Sequence, residues 1–455
     1  AAVMRIETAL AKGSKKAEEL RDPVANYHPM QVDDLQKLTP HFSWSAYLAS
    51  LGLATPSVID VGQPEFQKAL DAEIAAAPLS DWKSYFRWQL IHASARYLSA
   101  PFLDENFNFY SKTLAGVETA RARWKRVLYV VDENIGDALG QLYVKDNFPP
   151  ESKARVVAMV ANIRATLRER IQTLTWMDDA TKAKALAKLD AYGVKVGYPD
   201  KWIDYSALKI DRGPYVLNVE RATDFLVKRD LAKIGKPTDR TLWDITAPTV
   251  NCYYSPTGNE IVFPAGILQP PFFDASKDDA VNYGAIGSMM GHEMTHGFDD
   301  EGRQFDPKGN LTDWWTPESA ARFKERAQLV VKQYGEYVPV GDLHINGELG
   351  LGENIADIGG AKISFHAFEK SLAAKPENTI DGFTPEQRFF LSFANMYREE
   401  DRPEVLKLYI QTDPHSPGKY RVIGVLSNMD EFAKAFDVPE GAPMRRAAAD
   451  RVNIW

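Results

Sequence analysis

The hydrophobic and polar positions of the first half of the chain follow a helical pattern. From residue 1 to about residue 214, apolar side chains recur every three or four positions, which is the period of an amphipathic helix. One such stripe comprises Val156, Met159, Val160, Ile163, Leu167 and Ile171. Residues 180–189 are also strong helix formers. The pattern predicts a mostly helical region whose apolar stripes form core rather than carry chemistry.

Beyond about residue 215 the pattern changes and predicts short strands as well as helices. Residues 250–262 are rich in Asn, Tyr, Val and Ile, and a Ser-Pro-Thr-Gly segment interrupts them, which predicts two strands around a turn. Prolines between residues 264 and 271 then indicate a rigid loop. The helices predicted after it lie around residues 280–296, 317–337, 353–357, 385–398 and 429–436. The fold class predicted is therefore mainly α with a small β-sheet, in two domains of residues 1–214 and 215–455.

Length, composition and charge limit the classes of function. A chain of 455 residues with 45% hydrophobic and 25% charged residues is typical of a globular protein large enough for two domains. Its net charge of −8 argues against a nucleic-acid partner. The single cysteine, Cys252, excludes an intrachain disulfide. No apolar run approaches the length of a membrane span.

The strongest functional signal is the segment HEMTH at residues 292–296. Histidines at positions i and i+4 lie on one face of a helix, so His292 and His296 can bind the same tetrahedral zinc ion. Glu293 can then take a proton from the water that the metal activates. The alternative, a helix with two hydrogen-bonded histidines, is less consistent with the apolar residues before the motif. We expect Gly297 to end this helix in a left-handed cap.

A catalytic zinc ion needs a third protein ligand, and Glu353 is the candidate. The third histidine of the metzincin pattern is absent, because Gly302 and Arg303 stand where it would be needed. Glu353 and Asp357 share a helix face, so the first can bind the metal while the second accepts the remaining N–H of a histidine ligand. A solvated acidic face is the alternative, but the glycine-rich, uncharged flanks favour the ligand.

The segment around His415 is a candidate for stabilising negative charge on a substrate carbonyl. His415 lies between two prolines, which places it on a rigid turn. Asp413 can orient it, and Arg421 can bind a substrate carbonyl through two N–H donors. Taken alone, a histidine in a proline-rich loop is more often merely exposed.

Together these segments resemble the neprilysin and endothelin-converting-enzyme family of zinc metallopeptidases, in its bacterial oligopeptidase form. The matching segments are residues 250–254, 261–273, 291–300, 313–315, 352–357 and 412–424, with weaker similarity earlier in the chain. The resemblance implies a thermolysin-like (gluzincin) catalytic domain at 215–455, part of a helical lid domain at 1–214, and one Zn²⁺ per chain.

The resemblance also implies a role for individual residues. The zinc ligands would be His292, His296 and Glu353. The catalytic group would comprise Glu293 as general base, Asp357 behind a histidine ligand, His415 at the oxyanion and Asp413 behind it. The substrate-binding residues would be Asn251, Cys252 and Arg421 for the peptide backbone, and Ile267, Phe272, Met289, Met396 and Tyr397 for a hydrophobic S1′ pocket. Without the family, ordinary core would be the preferred explanation of these last five.

The chain departs from the family pattern at three places. Cys252 replaces the usual alanine, and we expect only its backbone to matter. Tyr397 stands where a tryptophan is common, which affects the expected depth of the pocket. The first residues resemble an internal stretch, before which a full-length member would have roughly 200 residues. Those residues would either have been removed or form a separate partner chain.

The function predicted is zinc-dependent hydrolysis of short peptides on the amino side of bulky hydrophobic residues. Peptides are the expected partners, and the expected location is extracytoplasmic, with a cytoplasmic oligopeptidase as the alternative. Two rival functions remain. One is a catalytically silent zinc- or peptide-binding protein, which the presence of base, ligands and oxyanion group disfavours. The other is a zinc hydrolase acting on something other than peptides, which only the resemblance disfavours.

Overall fold

A computed structural model describes residues 1–455, which form nineteen α-helices and five short strands. The first 121 residues contain α1 (Ala2–Gly13), α2 (Ala17–Leu20), β1 (Pro29–Gln31), α3 (Val32–Leu38), α4 (Trp44–Ser50), β2 (Val58–Asp60), α5 (Pro64–Ala76), α6 (Leu79–Ser94) and α7 (Ala100–Asn106). The next elements are α8 (Arg123–Asn147), α9 (Pro150–Thr173), α10 (Asp179–Asp190), β3 (Gly193–Gly197) and α11 (Tyr215–Leu231). The last are β4 (Tyr253–Ser255), β5 (Glu260–Pro264), α12 (Asp279–Asn282), α13 (Ser288–His296), α14 (Pro317–Gly335), α15 (Leu351–Ala374), α16 (Pro385–Met396), α17 (Pro403–Thr412), α18 (Gly418–Leu426) and α19 (Asp430–Ala435). None of these helices combines the length and the apolar character needed to cross a bilayer.

The chain divides into two compact units, and neither is continuous in sequence. The first comprises Ala1–Arg121 and Ser206–Thr238, and the second comprises Ala122–Tyr205 and Asp239–Trp455. This division differs from the single boundary predicted after residue 214. The reason is that the apolar stripe of α9 is buried in the core of the second unit, where α9 packs against α13 and α15. Helical periodicity identifies such a stripe but does not say which core it enters. The lid function of the N-terminal part stays a prediction.

The first unit is built around packing of α1 against α5 and α6. Ile6 of α1 is fully buried, and Arg5 beside it pairs with Glu73 of α5 and Asp81 of α6. A two-stranded antiparallel sheet, β1 with β2, lies between α1 and α5 along the chain. The ion pairs stand at the edge of this helical interface, where Arg5 is half-exposed, so apolar packing holds the unit together.

A three-stranded sheet in the second unit has the order β3-β5-β4. The strands β4 and β5 are antiparallel and are the pair predicted around the turn after residue 255. The third strand, β3, pairs in parallel with β5 and was missed, since it lies in the region predicted to be mostly helical. Its pairing partner is more than sixty residues away in sequence, and local periodicity does not reveal such contacts.

The helices α13 and α15 cross with their backbones in close contact, which brings the predicted metal ligands together. A Cβ on Gly291 would lie 2.5 Å from the carbonyl oxygen of Gly360, and a Cβ on Gly360 would lie 2.4 Å from the backbone nitrogen of His292. No side chain fits at either position. Gly291 and Gly360 therefore allow the helix that carries Glu353 to approach the helix that carries the histidines.

The end of α13 differs from the predicted left-handed cap. Gly297 has a φ of −67°, in the right-handed region. A glycine is required at position 297 because there is no space for a side chain: a Cβ there would lie 1.7 Å from the hydroxyl of Tyr192. That hydroxyl donates a hydrogen bond to the carbonyl oxygen of Met294, at 2.9 Å. A π-helical segment, Tyr283–Gly287, joins α12 to α13, so the predicted buried helix before the motif is present with a local widening.

The C-terminal tryptophan, Trp455, is buried. Trp455 is 2% exposed, and its ring lies 5.7 Å from that of Trp176. The indole of Trp176 donates to the carbonyl oxygen of Ile454 at 2.9 Å, which fixes the chain end. A Cβ on Gly359 of α15 would meet both Trp455 and Thr295, each at 3.0 Å. The C-terminus thus packs against the two helices of the predicted metal site.

Candidate metal centre and active site

The two histidines of α13 converge on one point. Their Nε2 atoms are 2.9 Å apart, and their ring planes are almost perpendicular, at 89°. His292 is 6% exposed and His296 is largely buried. Because the Nδ1 atom of each ring is hydrogen-bonded to a carboxylate, two neutral rings would direct their Nε2 lone pairs at each other. Such an arrangement is unfavourable without a cation between the rings.

Glu353, in the first turn of α15, completes the convergence. Its Oε2 atom lies 3.3 Å from His292 Nε2 and 3.6 Å from His296 Nε2, and this buried oxygen has no hydrogen-bond partner. Ligands of a tetrahedral zinc ion with bonds of about 2.0–2.1 Å are separated from one another by about 3.3–3.4 Å. The observed separations between the two Nε2 atoms and Glu353 Oε2 are 2.9, 3.3 and 3.6 Å, and they lie on either side of that value. The donor set and its geometry therefore fit zinc.

Each histidine has its own carboxylate on the far side of the ring. Asp357 Oδ1 lies 2.8 Å from His292 Nδ1, where the sequence predicted such an acid. Asp299 Oδ2 lies 2.6 Å from His296 Nδ1 and was not predicted. The other oxygen of Asp299 accepts the backbone N–H groups of residues 301 and 302, which fix the carboxylate. The signal available was local: an acid three residues after the second histidine of the motif.

Asp357 is buried beside an arginine that keeps it ionised. Arg421 donates to it twice, from Nε at 2.7 Å and from Nη2 at 2.6 Å. Burial raises the pKa of Asp357, but the charge of Arg421 and the hydrogen bond from His292 outweigh burial and hold this pKa below its ordinary value. Two N–H groups of Arg421 thus bind Asp357, and those left are the ones that could reach the predicted substrate carbonyl.

His415 lies on the loop between α17 and α18 and faces Glu353. Its Nε2 is 3.2 Å from Glu353 Oε2, while Asp413 Oδ1 lies 2.8 Å from its Nδ1 and accepts its backbone N–H at 2.9 Å. The neighbouring Ser416 donates to Asn354 of α15 at 2.8 Å, which anchors the loop. Burial lowers the pKa of His415, but the two carboxylates outweigh burial and raise it above its ordinary value.

Glu293 is buried next to the histidines and receives a hydrogen bond from the thiol of Cys252. The Sγ–Oε1 distance is 3.1 Å, and Glu293 is 4% exposed. Ligand atoms of His292, Glu293 and His296 all lie within 4.8 Å of one another, so two carboxylates approach the histidine pair. Oε2 of Glu353 accepts no hydrogen bond and faces three imidazole nitrogens at 3.2–3.6 Å, whereas Oε1 of Glu293 accepts the thiol of Cys252. Glu353 therefore fits a metal ligand and Glu293 fits a base.

The contact of Cys252 with Glu293 differs from the expectation that only the cysteine backbone matters. Burial raises the pKa of the thiol well above its ordinary value, so the thiol is a neutral donor. We predict that Cys252→Ala lowers kcat about two- to fivefold and leaves KM nearly unchanged, because one weak hydrogen bond to the base is lost. Cys252→Ser, which keeps a donor, is the matched control. Steady-state kinetics check this, and equal rates for all three proteins would contradict it.

The structure contains no substrate, so no contact assigns a substrate-binding role to Asn251 or to the five residues of the predicted S1′ pocket. Asn251 is exposed just before the edge strand β4, and its side-chain oxygen accepts the backbone N–H of Cys252 at 2.9 Å. The five apolar residues are buried or half-buried in the main core or against it: Ile267, Phe272, Met289, Met396 and Tyr397. Their assignment to a pocket stays a prediction.

Comparisons with known proteins agree with the resemblance. Two models described as peptidase family M13 match residues 1–199 and 251–452. The endothelin-converting enzyme homolog of Locusta migratoria is 37% identical over 100% of this chain and 65% of its own length. Neprilysin of Oryctolagus cuniculus is 36% identical over 100% of this chain and 63% of its own length.

A solved structure resembles the whole chain. It is that of the zinc metalloprotease Zmp1 of Mycobacterium tuberculosis in complex with an inhibitor, with a TM-score of 0.96 and 40% identity over 100% of this chain and 70% of that one. The chain thus spans less than two thirds of the length of the curated relatives named above. None of these comparisons supports a separate chain for the preceding residues. With both family models and whole-length relatives matched, the chain belongs to peptidase family M13, the family of neprilysin and endothelin-converting enzyme.

Proposed function

We propose that this chain is the zinc-dependent endopeptidase part of an M13 enzyme that hydrolyses short peptides on the amino side of bulky hydrophobic residues. One observation carries the proposal. Two imidazole Nε2 atoms and the Glu353 oxygen that accepts no hydrogen bond converge within 3.6 Å of one another, with the carboxylate of Glu293 beside them. Ligand set and base are thus present together, as hydrolysis by a metal-activated water requires.

One zinc ion per chain would be held by His292, His296 and Glu353. When bound there, zinc supplies Lewis-acid chemistry, lowering the pKa of water towards about 7 and polarising a substrate carbonyl. The carboxylates of Asp357 and Asp299 keep each histidine in the tautomer whose Nε2 is free to coordinate.

The catalytic steps assigned to this chain are proton transfers and charge stabilisation. Glu293 removes a proton from the attacking water and delivers it to the leaving amine. His415, oriented by Asp413, donates a hydrogen bond to the oxygen on which negative charge develops. Arg421 retains N–H groups beyond those bound to Asp357, and we assign them to a backbone carbonyl of the substrate.

Peptide selection would come from the edge of the sheet and from the apolar residues near the centre. The strand β4 is an edge strand, and Asn251 precedes it, so an extended peptide can pair with this edge through its backbone. Ile267, Met289 and Met396 would contact the bulky side chain after the scissile bond. The printed names of the relatives, neprilysin and zinc metalloprotease, agree with peptides as substrates.

Two other functions are less well supported. A silent binding protein would need no general base, yet Glu293 is buried and hydrogen-bonded beside the metal ligands. A hydrolase of another substrate class would need no exposed strand edge next to the centre. Mass spectrometry of products from a mixed peptide pool separates these functions, because only the proposed activity yields new termini at hydrophobic residues.

The test of the proposal is cleavage of a quenched peptide of about ten residues with one central phenylalanine. We expect cleavage on the amino side of the phenylalanine, its loss when a chelator removes zinc, and its return when zinc is restored. The control peptide has glycine in place of phenylalanine and should be cleaved much more slowly. Cleavage that persists without metal would overturn the zinc assignment, and equal cleavage of the two peptides would overturn the side-chain preference.

An extracytoplasmic location is also part of the proposal, and it rests on the family resemblance alone. Fractionation of cells that express the complete natural protein tests it. Activity in the periplasmic, secreted or membrane fraction is the expected result, and activity confined to the cytosol would contradict it.

A further inference from the structure

The carboxylate of Asp357 is held by side chains from three separate parts of the chain. His292 of α13 and Arg421 of α18 are two of them, and the third is Tyr397, the residue that follows α16. The phenol of Tyr397 donates to Asp357 Oδ1 at 3.2 Å. Oδ1 thus accepts hydrogen bonds from three groups: the phenol, His292 Nδ1 and Arg421 Nη2. The other oxygen, Oδ2, accepts one hydrogen bond, from Arg421 Nε.

The ring of Tyr397 is fixed on both sides. The guanidinium of Arg421 stacks over it at 4.7 Å from the ring centre, and the ring of Phe393 contacts it edge-on at 5.4 Å. Burial raises the pKa of the phenol well above its ordinary value, so the phenol keeps its proton and acts as a donor. The rigid, protonated phenol therefore makes a defined hydrogen bond to a buried carboxylate. A residue that only lined an apolar pocket would not need this hydrogen bond.

We propose that Tyr397 is a positioning residue of the metal centre, whose hydroxyl fixes Asp357 and through it His292. The inference rests on the proposed zinc peptidase. Asp357 sets the tautomer and angle of His292, so a donor that fixes Asp357 also fixes the nitrogen offered to the metal. If the ring of Tyr397 also lines the S1′ pocket, two hydrogen bonds connect the pocket wall to a metal ligand.

The competing explanation is that Tyr397 only shapes a pocket. Tyr397→Phe separates the two, because it removes the hydroxyl and keeps the ring, its stacking on Arg421 and the pocket volume. A wall residue would tolerate this change, and apolar substrates would bind equally well or better. If Tyr397 instead positions Asp357, the substitution removes the hydrogen bond that fixes this carboxylate. Zinc affinity would then fall although the shape of the pocket is unchanged.

The first experiment measures zinc affinity of the apoprotein by competition with a chromophoric chelator. We expect Tyr397→Phe to weaken zinc binding about tenfold, the lower end of the range typical for groups that orient a metal ligand. The control is Tyr283→Phe, which removes a buried phenol that accepts a hydrogen bond from Asn162 at 2.8 Å, and which should change zinc affinity less than twofold. Thermal unfolding of both variants accounts for any general loss of structure.

The second experiment tests whether the effect passes through Asp357. In an Asp357→Asn background, adding Tyr397→Phe should change zinc affinity much less than it does in the wild type, since the two groups act as a unit. Independent, multiplicative effects would overturn the proposal, as would wild-type zinc affinity in Tyr397→Phe. A wild-type chain that binds zinc but cleaves no peptide would contradict the proposed function and leave this inference open to the same binding test.

At saturating zinc, kinetics give a further readout. The expected result for Tyr397→Phe is a kcat several-fold below that of the wild type, with KM for the phenylalanine peptide unchanged. A changed KM with an unchanged kcat would identify Tyr397 as a pocket wall and overturn the positioning role.

Discussion

Replacing Glu293 by glutamine is expected to lower kcat about 10³-fold while zinc remains bound. Glutamine has nearly the same shape but cannot take a proton, and general base catalysis contributes about 10²–10⁴-fold to the rate. The amide oxygen of glutamine can still accept a hydrogen bond from the thiol of Cys252, so the local packing is preserved. The ligands on α13 and α15 are untouched, which separates loss of the base from loss of the metal. Hydrolysis of the quenched peptide and zinc content per chain are the two measurements.

The control for this prediction is Glu325→Gln, which removes an exposed acid on α14 and should leave turnover unchanged. Two outcomes would contradict the assignment of Glu293. Turnover above a tenth of the wild-type value would show that another group takes the proton. Loss of zinc would show that Glu293 is a metal ligand, a role that its position within 4.8 Å of both histidines allows.

The parts of the site that the sequence predicts well are those set by local geometry. His292 and His296 share a helix face because they are four residues apart, and no distant contact is needed to align them. The glycines around Glu353 were a second local signal, and Gly360 is now explained by the backbone contact between α13 and α15. Asp299 belongs to this class too, since it lies only three residues after His296, but it was not predicted from the sequence.

The parts that were missed or misjudged depend on contacts between distant residues. The expected cap at Gly297 was wrong because the constraint comes from Tyr192, about a hundred residues earlier. The thiol contact to Glu293 joins residues 41 positions apart, and no pattern near Cys252 indicates it. The compact units are discontinuous for the same reason: a helix that is amphipathic in isolation can pack in either core. Sequence periodicity predicts the elements, whereas tertiary packing decides their partners.

His415→Ala is expected to lower kcat by about 10²–10³-fold and to change KM only a few-fold. This is the usual effect of removing one donor from a developing oxyanion, because the interaction is stronger in the transition state than in the bound substrate. The ion pairs with Glu353 and Asp413 raise the pKa of His415 above its ordinary value, which favours the protonated ring that donates from Nε2. Steady-state kinetics with the phenylalanine peptide measure both constants.

Zinc content decides between two roles for His415, because its Nε2 lies only 3.2 Å from the oxygen of Glu353. An oxyanion donor can be removed without loss of the metal, since both histidines of α13 and Glu353 remain. A variant that loses zinc together with activity would make His415 a fourth ligand. A variant whose KM rises while kcat is retained would make it a binding residue. Asp413→Asn is the matched control: it keeps the imidazole but weakens its orientation, so its kcat should lie between those of the wild type and His415→Ala.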